Sequence, residues 1–535
     1  MMHKGGKGMS TRRALALVVA AVFLLPLSAG AQADRPLVYA QNVAVTAMDT
    51  AGSTIGTVYP AGYEAMFLIY DNLVAFNDKM QIVPQLATEW SVSRDALTWT
   101  FRLRRGVTFH DGTPFDADAA VFHIQRQIDT ATNRANRPLW DPISGVRKVD
   151  DLTIAISTQK PYGALLSTLA HGSGGVVSPT AVRRLGEGFA RAPVGAGPYI
   201  VERLDTGTEL VLRRNDNYWG GRPAYSRIIL RHVPDPTTRI ALLLSGQADV
   251  INLIPPENVA QLQGNPNVEV ISRPALRTFG FAFNLNRRFF QDVRVRHAFN
   301  YAVNRGPVIK AIFKDFATPI DSPLSPFTAG YTPVNKWEYD LDRAKALMAE
   351  AGWRPGPDGV LRKDGQAFEI TLLTPISMLP KDIEVTQAFQ NFLRVIGVRA
   401  TINRVEPAAF FDMVRVPPDR IQWDMVLFGF NPSNGDGAYH LTSLFESNPN
   451  RTGPPKVWNF TWYVNPKVDE LLNQADVTVD QVKRNELLAQ AARIIWNDAP
   501  YVWLYAENVI VAKRKEIKNV EVLPVIFTIL RNARP

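Results

Sequence analysis

The 535-residue chain contains no cysteine. That excludes disulfides, thiolate metal sites, a cysteine nucleophile and a lipid-modified cysteine. Histidine is scarce, with seven in all. His123, His171, His232, His297 and His440 stand alone, without the paired spacing of a zinc site, so no protein-built metal site is expected. The chain has no G-x-S-x-G, no H-E-x-x-H and no G-x-x-x-x-G-K, so no catalytic residue and no cofactor are expected. Gly195-Ala196-Gly197 lacks the third glycine of a dinucleotide loop and runs into Pro198, which reads as a turn. Beyond the N-terminal region no stretch approaches 18 unbroken apolar residues, the length a spanning helix needs. Charge of one sign is lacking too: 59 basic residues face 50 acidic ones with no long basic run, so nucleic acid is not an expected partner.

What is present begins at the N-terminus. Lys4, Lys7, Arg12 and Arg13 form a basic region without an acidic residue, followed by an apolar stretch from Ala14 to Leu27. Fourteen residues are too few to cross a bilayer core, and Ala31-Gln32-Ala33 has the small-residue spacing of a cleavage site. Residues 1–33 are therefore read as a signal peptide cut after Ala33, with a periplasmic destination. Thr11-Arg12-Arg13 is a partial twin-arginine pattern, so the export route stays open. The length calls for two or more domains.

Strand and helix patterns alternate along the chain, which points to an α/β fold. Leu97, Trp99, Phe101 and Leu103 alternate with polar residues as in a half-buried strand. Asp364-Gly365 supplies a hairpin turn within Gly359–Leu373. Leu341, Ala344, Met348 and Ala351 share a helical face, with Asp340 as N-cap and Gly352 as the stop. Leu487, Leu488, Ala491, Ile494 and Ile495 form a further stripe before the aromatic strand at Tyr501–Tyr505. His110-Asp111 lies in a turn-forming FHDGTP segment, a structural reading preferred to a catalytic one. Asp116 and Asp118 read as helix-start partners.

Four ordered segments resemble the family 5 extracellular solute-binding proteins. They are PQLATEWSVSRDALTWTFRLRRGVTFHDGTPF (84–115); GAGPY with NDNYWGGRP (195–223); RVRHAFNYAVNR with DLDRAKALMAEAG (294–352); and Y-x-N-P-x-V-D-x-L with a late D-A-P (463–500). The resemblance implies a two-lobed binding protein with a hinge and an interlobe cleft. Lobe I is expected over 34–280, with an extra subdomain at about 76–195; lobe II over 281–505; and a return to lobe I over 506–535. The crossovers are placed near Thr278–Asn284 and Tyr501–Asn508. The implied function is capture of a peptide-like or other small amphipathic solute by a monomer. The partners would be a pair of ABC permeases with cytoplasmic ATPases. A periplasmic hydrolase, or a peptide sensor or chaperone, on the same fold is the alternative.

The expected ligand contacts are Met48 at the first-strand exit, and Gly429, Phe430, Asn431, Ser433 and Asp436 in a polar, glycine-rich loop after an apolar run. Peptide-binding relatives have an Asp three residues after a G-W pair, holding the peptide ammonium. Ser433 stands there in this chain, with Asp436 three residues on as a substitute or as a turn cap. An Arg that grips the carboxylate in dipeptide receptors corresponds to Ile376–Met378, with Lys381 nearby. His440 is the best-placed histidine for a nickel-chelate receptor.

Overall fold

The computed structural model describes residues 35–51, 61–129, 131, 137–376, 378–448 and 458–535. The signal-peptide reading and Ser377 lie outside the described residues. Among the described residues no helix is long and apolar enough to cross a membrane.

One eleven-stranded sheet runs through the molecule. Its strand order is 399–405, 369–375, 425–430, 268–283, 501–514, 250–251, 37–41, 227–232, 209–214 and 199–205, with 317–319 paired onto 501–514. The first three strands belong to lobe II and the last five to lobe I. Among the described residues only the two long antiparallel strands Val268–Phe283 and Tyr501–Arg514 take part in both. Their lobe I halves pair Val268–Pro274 with Asn508–Arg514, and their lobe II halves pair Thr278–Ala282 with Tyr501–Ala506. Between these halves the register breaks: three residues, 275–277, lie opposite Glu507 alone. Pro274 has no N–H to continue the ladder, so the bulge falls where the sequence already interrupts it. A second irregularity follows between Phe279 and Gly280, where Leu504 is skipped, so the fold is two lobes joined by a pair of strands whose ladder is broken at the crossing.

Each lobe has its own core. Lobe I packs Tyr39, Met66, Tyr70, Leu212 and Phe527 around its part of the sheet. Lobe II covers both sheet faces. One face carries Phe281, Phe289, Phe299 and Phe368, and the other Trp423, Phe460, Trp496 and Trp503. A four-stranded antiparallel sheet, in the order 87–92, 98–103, 153–158, 143–150, forms the core of the extra subdomain with the helix Ala117–Ile128.

Local signals act as the sequence dictates. Trp99, Phe101 and Leu103 are buried on strand Thr98–Leu103. Asp340 accepts from Arg343 N at 2.8 Å to cap helix Leu341–Glu350, and Gly352 ends it at φ +90°. Asp364 and Gly365 take the positive φ values, 51° and 78°, of a tight hairpin. Asp116 caps helix Ala117–Ile128 through Ala119 N at 3.0 Å. His110 and Asp111 serve the turn: His110 Nε2 lies 2.9 Å from Gly197 O, and Asp111 accepts from Thr113 and Ser178.

Candidate ligand cleft

The sheet itself locates the cleft. In lobe I the parallel strands Leu37–Gln41 and Arg227–His232 end toward the crossing: Ala40 lies beside Ile251, and Ile254 N then bonds Ile510 O. In lobe II the parallel strands ending at Pro375, Val405 and Phe430 also run toward it, with Phe430 paired to Thr278. The carboxyl edges of both half-sheets therefore face each other across the bend. Ligands of open α/β sheets bind at such edges, where loops replace the ladder.

The lobe I rim is held by side-chain amides. Asn42 and Asn252 exchange two hydrogen bonds at 3.1 and 3.2 Å, while the Arg239 guanidinium ties Asn252 O, Val233 O and Pro234 O together. Burial lowers the Arg239 pKa, while the charges of Tyr39 and Asp235 act against the fall.

The lobes touch on two flanks of the cleft. Lys381 Nζ reaches Glu257 Oε1 at 3.0 Å across the cleft. Burial opposes ionisation of Glu257, but its backbone hydrogen bond and Lys381 keep its pKa below the ordinary value. On the other flank Gly163 of the subdomain donates to Asp476 O at 2.8 Å, and Gln481 Nε2 returns a bond to Gly163 O at 3.1 Å. A Cβ on Gly163 would stand 2.3 Å from Thr478 O, so only glycine permits this approach. Gly435, at φ +70°, lies against Met80 and Phe76.

The expected loop residues follow from strand Met425–Phe430. Gly429 is required there because a Cβ would fall 2.4 Å from the Phe279 ring. Phe430 is buried edge-on against His440, with ring centroids 5.2 Å apart. Asn431 and Ser433 are half-buried on the loop at the carboxyl edge. Asp436 does not offer a ligand amine a free carboxylate. It accepts from Ala438 N and Tyr439 N as the N-cap of helix Gly437–Phe445, and both its oxygens receive Arg484, at 2.7 and 2.8 Å. Desolvation explains the pairing: a carboxylate this deep is stable only beside a matched, hydrogen-bonded cation. Met48 lies in the lobe I core with no exposed surface; its backbone N–H bonds Ala190 O and its carbonyl accepts from Tyr70. Gly429 to Ser433 thus follow the strand end at the carboxyl edge of the lobe II half-sheet, with Phe430 in the core, while Met48 lies in the lobe I core and Asp436 in a buried ion pair. His440 is fully buried, which pushes its pKa down to about 3, and Nε2 stands 3.5 Å from Thr278 Oγ1.

Two charged residues at the bend were not among the expected contacts. Arg277 Nη1 lies 3.2 Å from Glu507 Oε1, with side chains 20% and 12% exposed. Burial raises the Glu507 pKa, and the Arg277 charge opposes that shift. The signal for them was available: each is the one charge in a largely apolar segment, in PALRTFGFAF and in YVWLYAENVIVA.

Comparison with known proteins agrees with this architecture. The family described as bacterial extracellular solute-binding proteins, family 5 middle, matches residues 81–452. The glutathione-binding protein GsiB of Escherichia coli K12 is 29% identical over 457 residues, covering 85% of this chain and 86% of that protein. HbpA2 from Haemophilus parasuis superposes with a TM-score of 0.81 at 26% identity, over 93% of this chain and 99% of that one. The periplasmic binding protein DppA from Helicobacter pylori, solved with peptide STSA, gives 0.74 at 26% identity, over 94% and 98%. With two lobes, a strand-bend hinge and a family match over more than half its length, this chain belongs to the bacterial extracellular solute-binding proteins of family 5.

Proposed function

We propose that this protein is the solute-capturing receptor of an ABC importer, working in the periplasm after removal of residues 1–33. The observation that carries the reading is the broken crossing shared by Val268–Phe283 and Tyr501–Arg514, with the carboxyl edges of both half-sheets facing over it. A bend in two strands lets the lobes open and close as bodies, and a ligand touching both lobes favours the closed state. A membrane permease pair with its ATPases would recognise that closed state, and the receptor would act as a monomer without performing chemistry on its cargo.

The cargo class is peptide-like. Support comes from relatives: GsiB is named for glutathione, and DppA was solved with a peptide. The polar loop Asn431–Ser433 and the Asn42/Asn252 rim offer amide and hydroxyl groups suited to peptide backbones. A micromolar Kd corresponds to roughly −8 kcal/mol. Several hydrogen bonds at about 0.5–1.5 kcal/mol each, with some apolar burial, reach that figure.

The test is calorimetric titration of ligand-stripped protein with glutathione, dipeptides, tetrapeptides and a nickel–histidine complex. Saturable one-to-one binding of a peptide without turnover is expected. Binding of the nickel complex alone, or hydrolysis of the peptides, would overturn the reading.

A further inference from the structure

Two ion pairs lie near the cleft, one buried and one half-buried, and they differ in kind. Asp436–Arg484 is bidentate, has no exposed surface to speak of, and has both carboxylate oxygens hydrogen-bonded. Arg277–Glu507 makes one contact at 3.2 Å that lacks hydrogen-bond geometry. Among the described residues neither Arg277 nor Glu507 has another hydrogen-bond partner. Each also keeps a fraction of its side chain open, at 20% and 12%. A guanidinium carries five donors and a carboxylate about four acceptor positions, so most of their capacity is unengaged.

Their neighbours repeat the pattern. Tyr505, two residues before Glu507 and so on the same strand face, stacks on Phe279 with centroids 5.1 Å apart. Its buried hydroxyl has no partner among the described residues, and neither has Asp382 Oδ2. Burial raises the Tyr505 phenol pKa, and the negative charges of Glu507 and Asp382 raise it further. Asp382 follows Lys381, the residue that closes the lobes onto Glu257. Buried polar groups are normally satisfied, so two buried, unpartnered oxygens beside a half-buried ion pair with unengaged capacity, at the hinge between the lobes, point to a ligand that completes them.

The chemistry of that ligand follows from charge. An amine alone would satisfy Glu507 but bring a second cation to Arg277. A carboxylate alone would satisfy Arg277 and repel Glu507. A group carrying an ammonium and a carboxylate on one carbon presents both charges at about the spacing of a contact ion pair. It neutralises both residues without leaving either charge uncompensated. We propose that Arg277 and Glu507 form a recognition site for an α-amino-acid end group. The ligand ammonium would lie on Glu507 with Tyr505 and Asp382 beside it, and the ligand carboxylate on Arg277. This rests on the peptide-receptor reading and narrows it. The preferred solutes are side-chain-linked peptides, which retain a free α-amino-acid end, over ordinary peptides, whose amine and carboxylate are at opposite termini.

The test uses isomers on the unaltered protein. Glutathione, in which glutamate is linked through its side chain, is titrated beside its α-linked isomer Glu-Cys-Gly and beside N-acetyl-glutathione. Glutathione is expected to bind at least tenfold more tightly than either. Glu507→Gln should remove most of the preference over the acetylated form, and Arg277→Met most of the preference over the α-linked isomer. Equal binding of the two isomers, or binding of ordinary peptides alone, overturns this inference and leaves the peptide-receptor reading standing. No binding by any of these or by dipeptides overturns both. Because the isomer comparison needs no variant, a folding defect in Glu507→Gln or Arg277→Met cannot obscure the result.

Discussion

Both oxygens of Asp436 meet the guanidinium of Arg484, at 2.7 and 2.8 Å, and neither side chain reaches solvent. The pair joins the loop that carries Asn431 and Ser433 to helix Gln481–Asp498, whose start lies against subdomain residue Gly163. It is thus a positioning device beneath the cleft edge.

Removing the carboxylate should therefore act first on stability. Asp436→Ala leaves Arg484 buried and unpaired, a defect of about 3–5 kcal/mol. It also removes the cap of helix Gly437–Phe445. Urea unfolding should show this loss with every ligand class weakened alike. Selective loss of amine-bearing ligands, with stability unchanged, would contradict the assignment.

Gly163 is a wedge point. Its Cβ would strike Thr478 O and Arg484, so Gly163→Ala should hinder closure without disturbing the core of either lobe. Ligand affinity should fall about tenfold or more, equivalent to roughly 1.4 kcal/mol. The melting temperature of the ligand-free protein should stay near that of the parent. Unchanged affinity in calorimetry would show that the contact is dispensable for closure.

Lys381 joins Glu257 across the opposite flank, but both side chains are partly exposed, at 26% and 49%. Such a pair contributes little, at most about 1 kcal/mol, and is screened by salt. Lys381→Met should weaken binding only a few-fold at low ionic strength, and the difference should vanish near 1 M salt. A salt-independent loss of tenfold or more would mean that Lys381 meets the ligand itself.

Glu64 sets a pH dependence. Burial raises its pKa from 4.5 to about 7, while hydrogen bonds from Thr528 and Tyr39 act against the rise. Folding favours the protonated form. Its contribution is fully present below pH 4.5 and is lost as pH rises through about 7. Glu64→Gln should flatten that part of the stability profile by up to about 3 kcal/mol between pH 5 and 8. A profile parallel to the parent's would refute the shift.

The sequence made local structure legible because local structure is decided by near neighbours. Asp340 and Asp116 act as caps, Asp364-Gly365 turns a hairpin, and Trp99, Phe101 and Leu103 alternate inward, each through contacts within a few residues. The family motifs carried the two-lobed fold for the same reason. The charges of the cleft were less legible. The sequence leaves Asp436 open between a ligand contact and a cap, and it cannot show that Arg484, 48 residues away, lies against it. Arg277 and Glu507 lie on strands whose pairing no local pattern encodes, and only the bulge at 275–277 brings them together. Met48 shows the converse: its position beside a strand exit suggested a contact, yet the bonds of its backbone to Ala190 and Tyr70 hold it in the core.

The central claim is that a solute held between the lobes closes this chain about its strand bend. Small-angle X-ray scattering of ligand-stripped protein, before and after saturation with a peptide that calorimetry shows to bind, measures it directly. A smaller radius of gyration is expected on binding, in one-to-one proportion to ligand and reversed when the ligand is dialysed away. Saturable binding with an unchanged radius of gyration would contradict it.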